Sequence, residues 1–277
     1  MNLSEIHYPR SVQEFLALVE KEKQLRIIAG ATTFGIEQRT RYLSFEPAIA
    51  CIHYIPELSS LHKTERMISI GAACTLASLE HIYPFDRAQA RDLLRSIGTS
   101  AVRELATIGG HIMYPKRFLA LWALLASLDA EVEFRSPSKT TIKNIWYLSD
   151  QDGLPNVEPN MLLSRVRVPL QSLDHLVIRR IGAGIFPEGD GGCLVSTASI
   201  DRRSVANFKL VIAGARAFRD YEAEQRIASS PFPILNKTIQ SATRQYSESL
   251  RKSGFWNTDV LLPLIGQALQ DLQRTRI

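Results

Sequence analysis

A chain of 277 residues is too long for one small core and calls for two or three substructures. Its composition is globular, with 45% hydrophobic and 22% charged residues, and its formal charge of +5 includes no dense Lys/Arg run, so nucleic acid is not the default partner. The longest apolar run, Phe118 to Leu128, is too short to span a bilayer, and the N-terminus lacks the basic-then-apolar order of a secretory signal; a cytoplasmic protein without membrane insertion is expected.

In chain order, Ser11 to Glu14 (SVQE) reads as a capping box, followed by Phe15, Leu16, Leu18 and Val19 at helical spacing. LRIIAG then reads as a short buried strand, ATTFGIEQR as a turn-like segment and PAIACIHYI as another apolar run. A second unit opens with RMISIGAACTLASLEHI: a strand, a tight Gly/Ala turn and a helix capped by Thr75. A helix from about Asp86 closes at Gly98. The segment ELATIGGHIMYP reads as strand-like, interrupted by Gly109 and Gly110. After it come the apolar helix, the strand DAEVEF, a turn at SPSKTT, a polar loop from Ser149 to Asn160 and the alternating strand LLSRVRV. From about Leu170 the pattern changes to three antiparallel strands and two closing helices, around Ile234–Leu250 and Asp259–Gln273, with Pro263 near a helix start.

The chemistry-bearing features are few. Cys51, Cys74 and Cys193 lie far apart without a CxxC pair, which fits a reducing compartment and excludes a self-contained four-cysteine zinc or iron–sulfur site. No HxxxH-type metal cluster, catalytic triad or paired-carboxylate arrangement follows from spacing, so no catalytic residue and no metal ligand is assigned. Two glycine-bearing bends stand out. At Ile28 to Gly35, a strand runs into Gly-Ala-Thr-Thr and can offer successive N–H groups and two hydroxyls to an anion. Neither GxGxxG nor GxxxxGK[ST] is present, and taken alone this stretch is a turn. The diglycine stretch, taken alone, is a bulge where two backbones cross. Together the bends could hold a dinucleotide pyrophosphate, with His111 as a hydrogen-bond partner and Lys116 and Arg117 either pairing with phosphate or lying at a solvated helix N-terminus. Glu188 and Asp190 read as solvated turn residues. With no acid–base machinery in view, a cofactor would carry any chemistry.

The segments IIAGATTFGIEQ, ISIGAACTLASLE, IGTSAVRELATIGGHI and WALLASLDAEVEF, in this order and spacing, resemble the FAD-binding (medium) subunits of molybdenum hydroxylases of the xanthine dehydrogenase and carbon monoxide dehydrogenase type. The likeness covers about residues 1–170 well and 171–277 more weakly. It implies an α+β fold: a two-subdomain FAD-binding domain over 1–170, with subdomains of about 1–60 and 61–170, then a C-terminal domain over 171–277 of three-stranded antiparallel sheet plus helices. It also implies FAD lying between the subdomains. The first pyrophosphate loop would be Ile27, Ile28, Ala29, Gly30, Ala31, Thr32, Thr33 and Phe34, and the second Thr107, Ile108, Gly109, Gly110, His111 and Ile112. Ile97 and Gly98 would line the pocket, Leu163 would pack near the flavin ring, and Arg180 stands where the family usually has a flavin-facing lysine.

The chain departs from that family pattern at three places. Ala31 and Thr33 replace the second glycine and the acid of Ala-Gly-Gly-Thr-Asp, His111 replaces an asparagine, and MYPKRF offers Lys116 and Arg117 where the family carries an aspartate that helps hold the flavin. The resemblance implies an oxidoreductase subunit that passes electrons from two-iron two-sulfur clusters on one partner chain, fed by molybdopterin on another, through FAD to NAD or another acceptor. The alternatives are a degenerate subunit of such a complex that binds no flavin, and a stand-alone flavin oxidoreductase.

Overall fold

The computed structural model describes residues 5–22, 25–33, 48–114, 118–150, 153–158, 161–182, 191–255 and 257–275. The fold is α+β, and the chain divides into two compact units. The first comprises Met1–Pro115, Asp129–Asp150 and Pro155–Pro169; the second comprises Lys116–Leu128, Gln151–Leu154 and Leu170–Ile277.

The first unit holds two sheets. The smaller orders β1 (Glu5–His7), β3 (Ala48–Cys51) and β2 (Arg26–Ile28) in parallel. Parallel strands need a crossover, and α1 (Val12–Lys21) supplies the one between β1 and β2, which flank β3. Ser11 caps α1 by accepting the Glu14 amide at 3.1 Å, and the Glu14 carboxylate accepts the amide of Arg10, one residue before the cap, at 2.6 Å. Val12, Phe15 and Val19 form the buried face of α1 and pack with Ala50, Ile52 and Ile55. The strand expected to be buried, β2, lies at the sheet edge with Ile27 38% exposed; the central, buried strand is β3. An apolar triplet does not reveal which of its neighbours flank it.

The larger sheet of this unit is antiparallel, in the order β4 (Leu61–Lys63), β5 (Met67–Gly71), β8 (Leu162–Pro169), β6 (Glu131–Arg135) and β7 (Thr140–Asn144). Buried Glu133 on β6 is paired with Arg167 and Arg135 and takes the Ser164 hydroxyl hydrogen at 2.9 Å. Burial works to raise its pKa, but these donors prevail and hold the carboxyl below its ordinary value. Four short helices lie between β5 and β6 in this unit: α2 (Leu76–Leu79), α3 (Ala88–Arg95), α4 (Ser100–Leu105) and α5 (Ile108–Ile112).

The second unit is built on an antiparallel sheet of β12 (Ala217–Phe218), β11 (Ser204–Ala213), β10 (Gly192–Asp201) and β9 (His175–Ile181). Its three long strands are those read from the sequence, and two-residue β12 adds an edge too short to show a period. The apolar helix α6 (Ala120–Ser127) packs here: the Thr197 hydroxyl donates to the Ser127 carbonyl at 3.0 Å, and the Phe118 amide donates to Gly214 at 2.9 Å. Helices α7 (Tyr221–Ile227), α8 (Asn236–Lys252) and α9 (Thr258–Gln273) complete the core with Ala223, Tyr246, Ile265 and Leu269. The unforeseen α7 begins at Asp220, whose carboxylate accepts the Ala223 amide at 3.0 Å. Among the described residues, no helix is long and apolar enough to cross a membrane.

Candidate functional site

The diglycine segment is helical, not strand-like: Ile108–Ile112 is the single turn α5. Thr107 starts it, its hydroxyl accepting the Gly110 amide at 3.1 Å. The segment is clamped onto the turn that leads from β5 into α2. Ile108 donates to the Cys74 carbonyl at 3.0 Å, Gly109 to Ala72 at 2.9 Å, and Leu76 donates back to Ala106 at 2.8 Å. The need for glycine follows from this contact. A Cβ on Gly109 would stand 2.7 Å from the Ala72 carbonyl oxygen and 2.9 Å from the Ala72 Cβ, closer than real side chains sit. Gly110 differs: among the described residues its Cβ would meet only the Thr107 hydroxyl, at 3.1 Å.

The clamp rests on a charged brace. Arg103 on α4 donates to the carbonyls of Arg95 and Gly98, both at 3.0 Å, closing the end of α3. Its guanidinium also lies 3.4 Å from Glu80, which Arg95 contacts at 2.8 Å. The Arg95 hydrogen bond is the chief cause holding the Glu80 carboxyl below its ordinary pKa. Gly98 adopts φ +60, the left-handed conformation that ends such a turn.

The first loop meets this assembly at a contact of backbone on backbone. A Cβ on Gly30 would fall 1.7 Å from the Leu105 carbonyl oxygen and 2.5 Å from its carbon, so the bend lies directly against the residues that precede Thr107. Two segments more than seventy positions apart therefore meet at Gly30. Ala31 follows at φ +56, a left-handed conformation that costs a side-chain-bearing residue about 1–2 kcal/mol. Thr32 and Thr33 begin a helical turn. Among the described residues, nothing accepts a hydrogen bond from the amides of Gly30, Ala31, Thr32 or Thr33. The loops are thus unequal. The amides from Ile108 to His111 are spent inside the protein, whereas those of Gly30–Thr33 have no acceptor among the described residues.

His111 is the remaining polar group of the second loop. Its Nε2 is sealed from solvent with no hydrogen-bond partner among the described residues, and burial lowers its pKa from 6.5 to about 4, leaving a neutral imidazole at pH 7. Successive amides with no acceptor among the described residues suit the anionic diphosphate of a group such as FAD.

The other expected site residues are dispersed. Ile27 and Ile28 are in β2, with Ala29 half-buried at its end. Ile97 precedes Gly98 beyond α3, and Ile112 is buried at the end of α5. Leu163 is buried on β8 in the first unit, while Arg180 is exposed on β9 of the second. Phe34, Lys116, Arg117, Glu188 and Asp190 lie outside the described residues. Sequence reasoning missed Ala72, Leu105 and Ala106, whose role is carried by backbone carbonyls, and also the Arg103–Glu80 brace, whose only trace is the charged pair of positions in SLE and AVRELA.

Comparison with known proteins bears on this geometry. The family described as the FAD binding domain in molybdopterin dehydrogenase matches residues 2–171. Aldehyde oxidase 2 of Cavia porcellus is 30% identical over 177 residues, which is 58% of this chain and 13% of the relative. Xanthine dehydrogenase/oxidase of Mus musculus is 27% identical over 274 residues, which is 95% of this chain and 19% of the relative. The chain therefore spans only a small part of these relatives. Among solved structures, a chain of quinoline 2-oxidoreductase from Pseudomonas putida 86 matches with a TM-score of 0.79 at 17% identity, covering 98% of this chain and 97% of its own. A chain of carbon monoxide dehydrogenase from Oligotropha carboxidovorans matches at 0.80 and 16% identity, covering 99% and 98%. At such identities the structural matches establish the fold.

Proposed function

Because the chain belongs to the family of FAD-binding domains of molybdopterin dehydrogenases, we propose that it is the flavin-bearing, electron-transferring subunit of a multi-subunit molybdenum hydroxylase. The observation that carries this reading is the apposition of Gly30 with Leu105, which brings a bend whose four amides find no acceptor among the described residues against the residues that precede Thr107. FAD, when bound, supplies the two-electron chemistry. Residues of this chain bind and orient it. The Gly30–Thr33 amides donate to the diphosphate, and α5 forms a wall without bulk at Gly110. His111 contributes an uncharged ring, and Leu163, Ile97 and Gly98 of the same unit shape the remaining surroundings. Electrons would arrive from an iron–sulfur chain fed by a molybdopterin chain and leave to NAD or another acceptor. The complete enzyme is then an oxidoreductase and works in the cytoplasm.

The visible spectrum of the purified chain tests this. Bands at roughly 370 and 450 nm, general to the cofactor, are expected as isolated or after added FAD. Gly30→Ala should lose them, because the added carbon parts the two loops. A colourless protein that takes up no FAD would overturn the reading. A second reading, a subunit that keeps this fold without flavin, is favoured by the complete internal use of the α5 amides, and the same spectrum decides between the two.

A further inference from the structure

Away from the flavin loops, the edge strand β1 and the end of α1 bring together Glu5, His7 and Glu22. Strand alternation puts Glu5 and His7 on one face of β1, and Glu22 is the residue that closes α1. One ligand-type atom from each lies within 4.8 Å of the other two. His7 Nε2 is sealed from solvent and has no hydrogen-bond partner among the described residues; Glu5 Oε1, at 3.8 Å, is beyond hydrogen-bond reach. A buried nitrogen lone pair facing two carboxylates is costly to leave unsatisfied.

We propose that Glu5, His7 and Glu22 form a site for one divalent transition-metal cation of the zinc class. The donor set argues for this class: one imidazole with two carboxylates suits Zn²⁺ or Mn²⁺, whereas Mg²⁺ favours all-oxygen shells rich in water. Zinc bonds of about 2.0–2.2 Å would put tetrahedral ligand atoms roughly 3.4 Å apart, so a spread of up to 4.8 Å must contract by up to about 1.4 Å. Glu5, 70% exposed, is free to turn inward and make that adjustment. Three protein ligands leave the fourth position to water, and the bound cation fastens the first strand to the crossover helix of the sheet that carries Gly30.

The test is calorimetric titration of the full, chelator-stripped chain with zinc chloride, alongside magnesium chloride. One zinc per chain is expected, with no magnesium response. Affinity should fall by roughly tenfold or more in His7→Ala and in Glu22→Gln, with circular dichroism unchanged in the metal-free proteins. Absence of saturable zinc uptake by the unmodified chain overturns the proposal. So does binding that survives both substitutions, which would place the metal elsewhere, for instance at Cys51. Neither variant touches the flavin loops, so the outcome is independent of flavin content.

Discussion

Adjacent glycines in this chain answer to different physical demands. Gly109 is required by packing, because the Ala72 carbonyl occupies the space a side chain would need. Gly109→Ala should therefore destabilise the fold by about 1–3 kcal/mol, seen as a lower urea midpoint. Gly110 faces only the Thr107 hydroxyl, so Gly110→Val should leave the fold largely intact while abolishing flavin uptake. A flavin-free Gly109→Ala protein of undiminished stability, or a flavin-replete Gly110→Val protein, would contradict this division. The diglycine was legible as a point of close approach, since few other reasons place a pair there, whereas Gly30 read as part of a turn. What they approach was not, because the partners are the main-chain carbonyls of Ala72 and Leu105, and any residue type could have supplied those.

At the scale of elements, the misread stretch is instructive. Ile108 to Ile112 alternates like a strand, yet it forms a single helical turn because Thr107 caps it and the 72–76 turn accepts its first amides. Five residues carry too little periodicity to choose between the two, and tertiary bonds decide. The same holds for α7, seven residues launched by Asp220. Long elements were readable for different reasons: α1 and β8 bury one face along most of their length, while β10 and β11 are buried on both faces over much of theirs. Arg103 is the element-scale support of the site. Arg103→Met removes two carbonyl contacts at the end of α3 and one partner of Glu80, and should cost about 2 kcal/mol in chemical unfolding. Flavin occupancy should fall in parallel, since α4 ends at the Leu105 carbonyl that meets Gly30.

For the molecule as a whole, acid sensitivity follows from its buried histidines. His175 sits between Ser196 and Thr275, each 3.1 Å from a ring nitrogen, and burial lowers its pKa to about 4, as it does for His111. Above pH 6.5 both folded and unfolded states hold these rings neutral and stability is at its full value. As pH falls from 6.5 toward 4, the unfolded chain binds protons that the folded chain refuses, so stability declines through that window. Glu80 and Glu133, held below the ordinary 4.5, act in the same direction but at lower pH. Glu224, raised chiefly by burial despite Arg219, acts oppositely. Comparing His175→Asn with the unmodified chain isolates one ring. The variant's urea midpoint should fall less steeply between pH 6.5 and 4.5, and parallel slopes would refute the assignment. The sequence shows a change of pattern near Leu170, whereas the compact units interleave: the apolar helix Ala120–Ser127 groups with the later strands through contacts that only three dimensions supply.

On the proposed flavin-binding reading, the inequality of the two glycine bends has a thermodynamic consequence. One jaw of the grip is set by the chain's own bonding before any guest arrives, so a dinucleotide pays ordering entropy against the other jaw alone. Tightness of retention should then be governed by residues 30–33, and substitutions that stiffen that short stretch will slow cofactor escape more than any change to the rigid side.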